Sequence, residues 1–206
     1  MAQRIERAPM QTPAEKRPIS DTKRAIMKTA AQLFAEKGYG SVGTAELSSA
    51  TNHGKGALYH HIRSKEDLLF DIMTVYLHDL LAGAETILAQ SDDPEQRIRA
   101  LSLGLMQAVV QDNAEMTVCF REVHALSPEY RRAVLRLHGD YFRLWERVMN
   151  EARDTARLRA VDPDELKALL GMYFYAFLWV GPQRAGDIEA LAEKFAGLVL
   201  RACRKG

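Results

Sequence analysis

The chain has 206 residues, of which 47% are hydrophobic and 27% charged, with a formal net charge of +1. This composition is typical of a globular protein with enough apolar material for a core. The longest apolar run, residues 172–181, is too short to span a bilayer, which needs about 20 residues. The two cysteines, Cys119 and Cys203, lack the close spacing of a zinc site. We therefore expect a cytoplasmic protein with reduced thiols and no membrane partner.

The charge is unevenly distributed along the chain. Residues 20–65 carry seven lysines and arginines against three acidic residues, so the N-terminal third is basic and the remainder is more acidic. This asymmetry favours a polyanionic partner at one end of the molecule.

The N-terminal part of the chain predicts an arm followed by a helix. Residues 1–19 hold three prolines and no apolar period, which predicts a disordered arm. A helix then begins near Ser20 or Asp21, either of which can cap its free N–H groups. Gly38 is expected to end it in the left-handed conformation of a Schellman cap, with Tyr39 packed against Phe34.

The rest of the chain is helix-periodic, with no alternating run long enough to predict a strand. Two short helices, at about 44–51 and 55–61, flank a turn at residues 52–54. A long helix begins at Ser64, which forms a Ser-x-x-Asp cap with Asp67, and runs toward residue 90. Five more are expected: one starting at Pro94, then 114–125 capped by Asn113, 128–155, 163–181 and 187–204. The predicted fold is all-α with about nine helices, an N-terminal three-helix head containing a helix-turn-helix, and a C-terminal bundle.

Segment 44–65 carries the features typical of DNA recognition. Two short helices joined by a three-residue turn can place the second helix in the major groove. Small leading residues, Gly54, Gly56 and Ala57, would let that helix approach the base edges. Lys55 can reach guanine acceptors or a phosphate, and the Ala57 methyl can lie against a thymine methyl.

Polar side chains at the end of this segment are candidate phosphate contacts. Tyr59, His60 and His61 offer hydroxyl and imidazole donors at the groove edge, and Lys65 joins the free N–H groups of the next helix. Alternatively, Tyr59 is a core residue and Lys65 a solvated charge. The adjacent histidines lack the three- or four-residue spacing of a helical metal site, so we predict none.

These segments resemble the TetR family of dimeric transcriptional repressors. The first helix of the family ends Leu-Phe-x-x-x-Gly-Tyr, as residues 33–39 do, and residues 58–68 follow its Leu-Tyr-x-His-Phe-x-Ser-Lys-Glu-x-Leu pattern closely. Three departures occur: residues 52–54 replace Gly-Val-Ser, Gly43 replaces a Ser or Thr cap, and Ala45 replaces a frequent arginine. Thr44 or Ser41 can compensate for that arginine. The predicted DNA contacts are therefore Thr44, Lys55, Gly56, Ala57, Tyr59, His60, His61 and Lys65.

The resemblance implies a DNA-binding domain at 20–66 and a ligand-binding and dimerisation domain at 67–206. It also implies a homodimer on a pseudo-palindromic operator, released by a small-molecule inducer. The sequence itself favours dimerisation, because residues 169–180 are apolar nearly all round and a helix without a polar face must bury two sides. The alternative is a central helix of a monomer.

Aromatic and sulfur-containing residues of the bundle are candidates for an inducer pocket, although each could equally be plain core. With one arginine, the candidates are Tyr76, Met106, Phe120, Arg121, Phe142, Trp145, Tyr173 and Phe177. Residues 120–131, with Trp179, look similar to a branch of the family that senses acyl-CoA thioesters, in which case Arg121 or Arg184 would meet the CoA phosphates. An apolar aromatic or drug-like inducer is the alternative.

Other classes of function find little support in the sequence. There is no glycine-rich phosphate loop, no nucleophile with a plausible base and no ligand-spaced set of His, Asp and Glu. We therefore predict neither an enzyme nor a cofactor. A helical interaction protein with no DNA role is the remaining alternative.

Overall fold

The computed structural model describes residues 19–154 and 158–205, and the predicted arm lies outside them except for Ile19. The regular structure of the described residues is helical, apart from one antiparallel bridge between Leu158 and Arg204, so the predicted all-α fold is confirmed. The nine α-helices found there are α1 (Asp21–Lys37), α2 (Thr44–Ala50), α3 (Lys55–His61), α4 (Lys65–Leu88), α5 (Pro94–Gln111), α6 (Asn113–Glu122), α7 (Pro128–Asp154), α8 (Pro163–Tyr175) and α9 (Ile188–Ala202).

Helix α1 begins as the sequence predicts, but it ends differently. The Ser20 hydroxyl accepts a hydrogen bond from the backbone N–H of Lys23. At the other end the Gly38 N–H donates to the Phe34 carbonyl, and the Phe34 and Tyr39 rings meet edge to face at 5.2 Å. Gly38 has φ 82° and ψ 141°, so its ψ is extended and the expected Schellman cap is wrong. The extended ψ turns the chain away from the axis of α1 toward α2.

Helix α4 connects the three-helix head to the bundle. It begins after Ser64, whose hydroxyl accepts from the Asp67 N–H and donates to the Asp67 carboxylate, so the predicted cap is present. It packs against α1 on one side and against α5, α6 and α7 on the others. The helix therefore belongs to both parts of the protein.

Two predicted features around α6 and α8 are wrong. Asn113 is the first residue of α6, not its cap. Helix α8 ends at Tyr175 and passes into a 3-10 turn instead of continuing to residue 181. The Asn113 side-chain amide donates to the carbonyls of Phe177 and Val180, each at 3.1 Å, so it satisfies carbonyls that the helix end leaves free.

The core of the bundle surrounds α5, which packs against α4, α7, α8 and α9. Trp145 and Tyr173 are fully buried there, and the Tyr173 hydroxyl shares a 2.7 Å hydrogen bond with Ser102. Both cysteines are buried free thiols, and burial raises the pKa of Cys119 far above its usual value. None of the described helices is long and apolar enough to cross a bilayer.

Candidate nucleic-acid interface

The turn between α2 and α3 is held by local hydrogen bonds. Asn52 adopts φ 55°, a left-handed conformation usually given to glycine and one that Asn tolerates. The His53 N–H donates to the Ser48 carbonyl at 3.1 Å, and the Ser48 hydroxyl donates back to the His53 carbonyl. The His53 ring lies edge to face against His61 at 5.6 Å. The two short helices are thereby fixed at one angle.

Helix α3 presents almost all of its surface to solvent. Leu58 is its one fully buried side chain, and it belongs to the same hydrophobic core as Leu47, Phe34 and Ile26. The rest of the helix exposes the predicted base-reading and phosphate-binding residues Lys55, Gly56, Ala57, Tyr59 and His60, while His61 is half-buried. A hypothetical Cβ at Gly54 or Gly56 would meet nothing within 4 Å. The leading end of α3 is therefore slim and unobstructed.

Two predicted contacts lie at helix N-termini beside α3. Thr44 is half-buried at the first position of α2, whose cap residue Gly43 offers no side-chain bond. Lys65 occupies the first turn of α4, as expected. Its ammonium donates to the Tyr39 carbonyl at 2.5 Å and lies 4.1 Å above the Tyr39 ring centroid. Burial lowers the pKa of Lys65 from its usual value, against the charge of Glu122. Lys65 thus anchors α4 to the end of α1, and its phosphate contact stays a prediction.

A polar network joins the start of α4 to the start of α7. The Asp67 carboxylate accepts hydrogen bonds from the Tyr130 hydroxyl at 2.6 Å and from Arg63 at 2.8 Å. The Phe70 ring stacks on Tyr130 with centroids 4.1 Å apart, and Glu66 accepts from the Ser127 N–H. The sequence predicted the cap between Ser64 and Asp67, but not the contacts with Tyr130 and Ser127, which lie about 60 residues away.

Removing this network should destabilise the protein. Asp67→Ala is expected to lower the free energy of unfolding by roughly 2–3 kcal/mol, since hydrogen bonds to a charged group each contribute about 1.5–3 kcal/mol. Tyr130→Phe should lower the free energy of unfolding by less, because it removes only one of the hydrogen bonds to Asp67. Urea unfolding measures both, and equal stability of Asp67→Ala and the parent would contradict the expectation.

The same carboxylate predicts a pH dependence. Burial alone would raise the pKa of Asp67, but the hydrogen bonds from Tyr130 and Ser64 and the charge of Arg63 hold it below its usual value. The contribution of the Asp67 carboxylate to the free energy of unfolding is therefore complete above its unfolded pKa of about 3.9. It is lost as the pH falls through the lower pKa of the folded state. The stability difference between Asp67→Ala and the parent should shrink on acidification from about pH 7 to about pH 3.

The predicted pocket residues form separate groups, and Trp145 lies against Tyr173 with ring centroids 5.8 Å apart. Met106, Trp145 and Tyr173 are fully buried in the core, and Phe142 is half-buried against it. Phe120, which is 39% exposed, stacks on Phe177 at 5.7 Å on the outside of the bundle.

The predicted CoA-binding arginines are engaged within the protein. Arg121 donates to the Ala35 carbonyl of α1, and Arg184 is paired with Asp187 at 2.7 Å.

Tyr76 lines a cavity. This cavity, of about 230 Å³, lies between the C-terminal half of α4 and the face of α5 turned toward it. Tyr76, Asp79 and Asp112 also line a smaller opening beside it, together with Arg24 and Lys28 of α1. Arg24 pairs with Asp79 at 3.0 Å across this opening. The opening beside the cavity is therefore bordered by α1, the first helix of the three-helix head.

A two-helix element with a slim exposed second helix, set on a helical bundle with a cavity, defines a helix-turn-helix regulator. Comparison with known proteins makes the assignment specific. A family described as "Bacterial regulatory proteins, tetR family" matches residues 26–72, and "Tetracyclin repressor-like, C-terminal domain" matches residues 91–203. The chain belongs to the TetR family, as its motifs suggested, and is a DNA-binding transcriptional repressor and not an enzyme.

Several relatives share most of the chain. The HTH-type transcriptional repressor KstR2 of Rhodococcus jostii (strain RHA1) is 25% identical over 178 residues, covering 85% of this chain and 87% of that protein. The TetR family regulator PfmR from Thermus thermophilus is 28% identical with a TM-score of 0.79, covering 85% of this chain and 97% of that one. AibR in complex with isovaleryl coenzyme A and operator DNA is 27% identical with a TM-score of 0.76, covering 86% and 97%.

Proposed function

We propose that this repressor binds a pseudo-palindromic operator as a homodimer and leaves it when a small ligand occupies the bundle. The exposed face of α3 carries the proposal, because its leading residues are small enough to bring the helix onto base edges. In this arrangement residues 20–66 form the DNA-binding domain and residues 67–206 bind the ligand and the second subunit. The proposed DNA contacts are Thr44, Lys55, Gly56, Ala57, Tyr59, His60, His61 and Lys65.

An apolar surface on α8 and the turn after it supports the homodimer. Tyr175 is 65% exposed, Leu178 56% and Trp179 47%, and Leu198 of α9 is 44% exposed. Monomeric proteins rarely leave large contiguous apolar patches in water. We propose that a second copy of the chain covers this surface by a two-fold axis, which sets the two α3 helices at a fixed separation.

We propose an acyl-CoA thioester as the inducer. AibR, which resembles this chain over most of its length, is a regulator solved with isovaleryl coenzyme A and operator DNA. In this protein Lys28 borders the opening beside the α4–α5 cavity and is the basic group that we propose for the CoA phosphates, since Arg24 is paired with Asp79. An apolar aromatic or drug-like inducer is the second candidate, because the cavity is lined mainly by apolar side chains and Tyr141.

A titration with operator DNA tests the proposal. The purified protein should bind duplexes from upstream of its own gene with an affinity that falls steeply with salt, as phosphate contacts require. Adding acyl-CoAs of different chain lengths should release the DNA and raise the melting temperature of the protein. A protein that sediments as a monomer and binds no duplex at low salt would overturn the proposal. Release by aromatic compounds alone would favour the second candidate.

A further inference from the structure

A wide groove lies between the start of α5 and the second half of α9. Its volume is about 710 Å³. Helix α5 leads away from it toward α6, which packs against α1 of the three-helix head, so the groove is at the other end of the bundle. None of the residues that line it lines the α4–α5 cavity. The groove is therefore a separate place from the one proposed for the inducer.

The groove has an apolar floor and a cationic rim. Leu158 and Leu200 form the floor and are each 6% exposed. Four cationic side chains line the rim, are exposed to solvent and form no ion pair with any of the described residues: Lys194, Arg201, Arg204 and Lys205. Their charge is therefore free to meet an anion from outside the chain.

The two acidic residues of the groove are already engaged. The Arg99 guanidinium donates to the Glu95 carboxylate at 2.8 Å and also to the Glu193 carboxylate. This arrangement ties α5 to α9 and keeps both carboxylates beside a positive charge. Cations still outnumber acidic groups in the groove, so its net charge is positive and it attracts anions.

The cations that follow α9 stand on a fixed backbone. Arg204 forms the antiparallel bridge with Leu158, and the Arg159 N–H donates to the Cys203 carbonyl at 2.8 Å. These contacts hold the last described residues against the segment before α8. A ligand that binds there does not have to order the backbone first, which lowers the cost of binding.

The groove stays open beside the proposed dimer surface. Trp179 of that surface lies against Phe195 of α9, with ring centroids 6.2 Å apart. Glu193 and Gly197 line the groove and are each two residues from Phe195. At about 100° per residue, they lie on the opposite side of α9. A second copy of the chain that covers Trp179 therefore leaves this side of α9 accessible.

We propose that this groove binds a small molecule carrying two or more linked phosphates, as a second ligand of the protein besides the inducer and the operator. Three of the four free cations lie within residues 201–205, which suits the closely spaced charges of linked phosphates. Arginine is favoured for this role because its planar fork of N–H donors matches phosphate oxygens. The apolar floor accommodates the uncharged part of an organic polyphosphate.

Isothermal titration with tripolyphosphate and with ATP at low salt tests the site. The parent should bind both, and Arg201→Gln/Arg204→Gln should bind them at least about 10-fold more weakly. Arg131→Gln/Arg132→Gln is the matched control, because it removes the same charge from exposed arginines of α7 that do not line the groove. The control should bind with the affinity of the parent, and all three proteins should have the same melting temperature.

Three results would overturn the proposal. The first is a parent that binds neither probe, and the second is equal weakening in the two double variants, which indicates a general attraction to positive charge. The third is binding of a polyglutamate peptide without binding of either phosphate probe, which would make the groove a contact for an acidic protein segment.

Duplex DNA separates this inference from the proposed function. Arg201→Gln/Arg204→Gln should bind operator as the parent does, because the groove is away from the head. A parent that binds tripolyphosphate in the groove but binds no duplex would support the polyphosphate site and reject the operator proposal. A parent that binds operator but neither phosphate probe would do the reverse.

Discussion

Ala57→Glu is expected to weaken operator binding by at least about 30-fold without changing the fold. Ala57 is exposed near the leading end of α3, so a glutamate there meets solvent in the free protein. On DNA its carboxylate would lie among phosphates and base edges, where the loss of a good contact costs about 1–3 kcal/mol. A homodimer carries two copies, so the cost doubles, and about 1.4 kcal/mol is tenfold in affinity.

Fluorescence anisotropy with labelled operator at one fixed salt concentration measures this loss. Ala82→Glu is the matched control, because Ala82 is exposed on α4 within the bundle and the change in charge is the same. Its affinity should stay close to that of the parent. If both variants bind equally well, α3 is not the helix that enters the groove.

Substituting the apolar surface of α8 and α9 should separate the subunits and thereby remove tight operator binding. In the double variant Tyr175→Glu/Leu198→Glu, four carboxylates would face one another across a two-fold interface. Neither position is buried in the single chain, with 65% and 44% exposure, so each subunit should still fold. Linked half-sites gain about 10²–10⁴ in affinity over single ones, and a monomer forfeits that gain.

Sedimentation should show the mass of one chain for this variant, with operator affinity reduced by at least about 100-fold. The conservative variant Tyr175→Phe/Leu198→Met keeps the apolar area and should remain dimeric. A glutamate variant that sediments as a dimer would place the two-fold interface elsewhere on the molecule.

Local features of the chain were predictable from the sequence because they depend on neighbours a few residues away. The Ser20 and Ser64 caps, the left-handed Asn52 and the two short helices each follow from side-chain chemistry within one turn. The exposed row on α3 followed from the same local pattern, since one buried leucine, Leu58, fixes which side of a two-turn helix faces the core.

Contacts between distant segments were decided by the tertiary structure alone. The carbonyls of Phe177 and Val180 after α8 are bonded by the Asn113 amide, more than 60 residues away, and Asp67 is bonded by Tyr130 at a similar separation. The aromatic residues show most clearly what the sequence leaves open, because residues in the core, on the surface and beside a cavity can all follow the same helical spacing. Periodicity identified the apolar side of each helix, but only packing decided that the buried Tyr173 hydroxyl meets Ser102 while the buried Tyr76 hydroxyl has no partner among the described residues. The sequence determines which side chains must be buried. The arrangement of the helices determines which packing and hydrogen-bond partners those side chains meet.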